Sequence, residues 1–147
     1  MNEGRDYLAA FGGGFHGILR WPQLDGLWAR LQARAGDGWY VYAVGEPPPD
    51  APVSAQVFRR FISEMDALLR KDHDEDYCGV VYVDDPASPA FVKIYDPNHL
   101  GSSCGSSGLL VLPGWTLSLL PPVDLPRALP QTGSRRRWWQ RLFGSGK

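Results

Sequence analysis

The stretch YDPNHLGSSCGSSG, residues 95–108, holds the residue types from which a reactive loop is built. Cys104 follows His99 by five positions. A thiol becomes a nucleophile when a nearby base or positive field lowers its pKa from about 8.5. Glycines on either side would expose backbone N–H groups, the donors of an oxyanion hole or an anion nest. One reading is therefore a thiol-dependent enzyme with Cys104 as nucleophile and His99 as base. GSSCG (101–105) also fits G-x-S-x-G with Ser103 at the nucleophile position. That motif works only as a strained turn from strand into helix, and the SSGLLVLPGW that follows reads as a strand. The reading favoured here is non-catalytic. Small side chains and glycine-permitted turns would form a ligand or partner surface from Asn98, His99, Ser102, Ser103, Cys104, Ser106 and Ser107.

Metal chemistry is weighed next. His73-x4-Cys78 and His99-x4-Cys104 could together supply four zinc ligands. Cys78, however, falls inside an apparent strand, and the Cys-x2-4-Cys spacing of zinc knuckles is missing. Asp72, Asp74 and Asp76 match positions 1, 3 and 5 of a calcium loop, but Tyr77 stands where that loop needs glycine and Val83 where it needs glutamate. YVDD (82–85) repeats the string of the metal-binding hairpin of reverse transcriptases. It has Pro86 directly behind it, and Asp84 and Asp85 are read as the start of a hairpin turn. No metal or cofactor is assigned.

The C-terminal RRRWWQRLFG is the sharpest physical signal. On a helix, Trp138, Trp139, Leu142 and Phe143 share one face, with Arg135, Arg136, Arg137 and Arg141 around it. Ten helical residues reach about 15 Å, far short of a bilayer. Such a helix is too short to be stable alone in water and would order on contact. A basic helix with tryptophans on its apolar face suits an anionic membrane interface. A protein groove and the acidic body of this same chain are the rival partners, nucleic acid is the weaker reading, and a tail with no partner is the plain alternative. The charge is segregated accordingly. Residues 1–126 carry nine Lys/Arg and all sixteen Asp/Glu, a net −7, whereas residues 127–147 carry six Lys/Arg and no acid, a net +6.

These residues need a scaffold, and a chain of 147 residues is long enough for one domain with a tail. Residues 1–17, rich in glycine and aromatics, read as an ordered loop in preference to a short helix followed by a turn. Trp21 to about Ala35 reads as a helix with Pro22 in its first turn and Gly36 as its stop. WYVYAVGE (39–46) reads as a strand, and Ser54 to Lys71 as a helix capped by Ser54, with Val57, Phe58, Phe61, Ile62, Met65, Leu68 and Leu69 on one stripe. YCGVVYVDD and AFVKIYDP form a hairpin. LLVLPGWTLSLLPP (109–122) is a further strand, broken at Pro113-Gly114. The fold class is α+β, a mostly antiparallel sheet of about four strands with two helices packed on one face. The domain is set at 1–122, a proline-rich linker at 123–134 and the basic-aromatic tail at 135–147. No signal peptide or transmembrane run is found, and two cysteines are too few for a disulfide framework. The expectation is a small cytoplasmic binding or adaptor module, peripheral at the inner membrane face, with an unknown ligand or protein partner.

Overall fold

In chain order the elements are α1 (Glu3–Phe11), β1 (His16–Arg20), α2 (Trp21–Ala33), β2 (Tyr40–Ala43), α3 (Ala55–Lys71), β3 (Tyr77–Val83), β4 (Phe91–Ile94), β5 (Trp115–Ser118) and α4 (Leu125–Ala128). They come from a computed structural model that describes residues 3–71, 77–96 and 111–129. The α+β class holds. The sheet has five antiparallel strands rather than about four, in the order β1-β3-β4-β5-β2.

That order explains the first layer. β1 and β2 are neighbours in sequence but lie on opposite edges, so α2 must cross the sheet to join them. α3 crosses back from β2 to β3. Both helices thus lie on one face and bury their stripes there, Leu24, Leu27, Trp28 and Leu31 from α2 and Phe58, Ile62, Met65 and Leu69 from α3. Val81, Val83, Val92, Ile94 and Leu117 meet them from the strands. Two capping residues set where the helices start. The Ser54 hydroxyl accepts from the Val57 amide at 3.2 Å, as an N-cap serine should. Gln23 reaches back so that its Oε1 accepts from the Arg20 amide at 2.8 Å. Past α2, the left-handed glycine is Gly38 (φ +93°) rather than the Gly36 that the sequence suggested.

Side chains on the strands alternate between faces, and the second face is covered as well. Tyr7 and Phe11, one helical turn apart on α1, pack with Tyr42, Phe91 and Leu125 into a separate core. The Tyr42 hydroxyl accepts from the Leu125 amide at 3.1 Å, which ties α4 to the same face. The expected pair of helices on one face is present, then, and two further helices occupy the other. α4 lies within the stretch read as a linker. α1 and the start of β1 lie within the segment read as a loop. α1 makes only two turns before the glycines, and β1 buries a single residue, Ile18, so neither carries a legible period.

Candidate functional site

One register row on the second face runs across all five strands: Gly17, Tyr82, Lys93, Thr116 and Tyr42. Its central member, on the central strand, is a lysine. β4 alternates as a half-buried strand must. Val92 and Ile94 point to α2 and α3, and Phe91 and Lys93 to the second face.

The sequence FGGGF roofs this lysine. α1 ends at Phe11, three glycines carry the chain round, and Phe15 arrives beside β1. Both phenyl rings then cover the same ammonium, with Lys93 Nζ 4.1 Å from the Phe11 ring centroid and 4.0 Å from that of Phe15. Phe91 braces the two rings, lying edge-on to Phe15 with centroids 5.6 Å apart and to Phe11 at 6.1 Å. On one side Tyr7 and Thr116 share a hydrogen bond of 2.8 Å between their hydroxyls. On the other, the Tyr82 ring leans over Gly17, where an added Cβ would come within 3.2 Å of Cε2, and meets Tyr95 edge-on at 5.6 Å.

Electrostatically this is an unusual place for a cation. Lys93 is partly buried, and burial pushes its pKa below the usual lysine range, against the favourable pull of the two ring faces. Among the described residues neither a carboxylate within 4.0 Å of the ammonium nor an acceptor for its N–H groups is found. Burial pushes the pKa values of the Tyr7, Tyr42 and Tyr95 hydroxyls the other way, upward. The arrangement can attract an anion at one point and hold an apolar body against the surrounding rings.

The residues singled out from the sequence are not those of this row. Asn98, His99, Ser102, Ser103, Cys104, Ser106 and Ser107 fall outside the described residues, as do His73 and the tail positions Arg135, Arg136, Arg137, Trp138, Trp139, Arg141, Leu142 and Phe143. Cys78 is described. It is buried in the first core, where burial pushes its thiol pKa up. Asp84 is occupied with folding. Its Oδ1 accepts from the amides of Asp85 (2.8 Å), Ala90 (3.0 Å) and Phe91 (3.1 Å), closing the β3–β4 turn as expected. Lys93 was not among the sequence candidates. Its signal was present, however: a lone charge inside an otherwise apolar strand, AFVKIY.

No protein family, curated protein or solved structure matches this chain.

Proposed function

We propose that the chain is a small binding or adaptor module, brought to an anionic membrane surface by its basic-aromatic segment 135–143. The observation that carries this reading is where the charge and the aromatics fall. The body fills two cores with its own apolar residues and is already closed by α4 at Leu125. Trp138, Trp139, Leu142 and Phe143 follow that closure, together with four arginines and no acid.

Magnitudes support reversible attachment. Each arginine near an anionic leaflet contributes about 1 kcal/mol, so the four give about 4 kcal/mol before any apolar burial. The acidic body opposes close approach, but its repulsion is screened beyond roughly 8 Å at physiological salt. Among the described residues no helix is long and apolar enough to cross a membrane.

Replacing Arg135, Arg136, Arg137 and Arg141 by Gln tests the electrostatic part. Binding to vesicles of phosphatidylcholine and phosphatidylglycerol should weaken by two or more orders of magnitude and lose its salt dependence. Unchanged binding by that variant, or equal binding to pure phosphatidylcholine, contradicts the reading.

A further inference from the structure

The second face of the sheet holds a feature that the tail leaves unexplained. Lys93 stands mid-strand under Phe11 and Phe15, partly buried and without a carboxylate among the described residues. Lys93 is half-buried, and even partial burial of an ammonium is costly where no anion offsets it. Ring faces recover only part of what an ammonium loses on leaving water, because they accept no conventional hydrogen bond from its three N–H groups. Arg70, by contrast, spans Asp66 and Asp25 at 2.8 and 2.7 Å. The acids of the body are numerous, yet none described is placed at Lys93.

We propose that Lys93 is the anchor of a binding site for a small organic monoanion, a carboxylate carried on a flat apolar body. The carboxylate would accept from the half-buried ammonium. The apolar part would lie along the ring cluster of Phe11, Phe15 and Tyr82. A single cation pairs with one negative charge, and a body of net charge −7 disfavours a dianion such as phosphate. The Tyr7–Thr116 hydrogen bond fixes α1 against β5, so the roof is held before any ligand arrives. None of the residues named for this site belongs to the tail.

The chain has three lysines, Lys71, Lys93 and Lys147, which makes the test simple. In full-length protein labelled with 13C at the lysine ε carbon, the methylene between two phenyl faces resonates upfield of the other two and identifies Lys93. Sodium benzoate is the probe. The expected result is a saturable shift of that signal alone, with Lys71 and Lys147 nearly unmoved. Sodium acetate and inorganic phosphate should act at least tenfold more weakly. Lys93→Met should abolish saturable benzoate binding, measured by calorimetry. If that variant fails to fold, the wild-type titration decides by itself. No saturable shift, equal shifts of all three lysines, or an equal response to phosphate would overturn the proposal.

Discussion

The hydroxyls of Tyr7 and Thr116 lie 2.8 Å apart, although 109 residues separate them. This buried contact joins the first helix to the last strand, and it fixes the orientation of the face that carries Lys93. Removing one partner leaves the other buried and unsatisfied, which costs about 1–3 kcal/mol. Tyr7→Phe should therefore lower stability by that amount in urea unfolding. Adding Thr116→Val should cost less than its effect alone, so the double-mutant cycle should show coupling.

Alkaline pH should destabilise the chain through the same tyrosine. Burial raises the Tyr7 pKa, so the folded state keeps its proton where the unfolded chain loses it. The stability is fully present below the unfolded value of about 10 and falls as pH rises above it, by up to about 1.4 kcal/mol per pH unit. Lys93 has the opposite sign. Its folded pKa is lowered, so its contribution improves as pH climbs toward the unfolded value of about 10.4 and is lost as pH falls through the folded value. Tyr7→Phe should flatten the alkaline decline of the unfolding free energy. Lys93→Met should steepen it.

The helical layer offers a contrast of magnitudes. Asp66 Oδ1 accepts from Trp28 Nε1 at 3.0 Å and from Arg70 Nε at 2.8 Å, linking α2 to α3, while the Arg70 guanidinium lies 4.7 Å over Trp21. Asp66→Ala leaves the part-buried indole N–H unpaired and should cost about 1–3 kcal/mol. Arg60 and Glu64 are paired at 3.3 Å, but their side chains are 79 % and 70 % exposed. Arg60→Ala should cost less than about 0.5 kcal/mol. Thermal unfolding of the two variants should separate them clearly.

Alkylation distinguishes the module from the thiol enzyme first considered. Cys78 is 1 % exposed, and burial raises its pKa, so it should resist iodoacetamide until the chain unfolds. Cys104 should react no faster than a free model thiol. Rapid, selective alkylation of Cys104 at pH 6 would favour the enzyme.

Sequence periodicity revealed α2 and α3 because each has several turns of apolar stripe, and it revealed the β3–β4 hairpin through its turn chemistry. It missed what depends on other parts of the chain. β1 buries only Ile18 and is a strand because β3 pairs with it. β3 itself carries a bulge. Between Ile18 and Arg20 the partner advances from Val81 to Tyr77, with Gly79 at φ +77° inside the interval. Cys78, Val80, Val81 and Val83 can therefore all enter one core, which simple alternation forbids. Gly36 reads as the helix stop from its position after the apolar stripe, but the positive φ falls two residues later, at Gly38. The Lys93 site was hidden for the same reason. Phe11 and Phe15 meet Lys93 only through tertiary structure, some eighty residues along the chain, so no local motif records the cluster.

Membrane attachment is tested most directly by co-sedimentation with vesicles of phosphatidylcholine and phosphatidylglycerol, comparing the full chain with residues 1–134. The predicted result is that the full chain pellets with these vesicles at low salt and the shortened chain stays in the supernatant, while both unfold at nearly the same temperature. Equal sedimentation of the two would contradict the account.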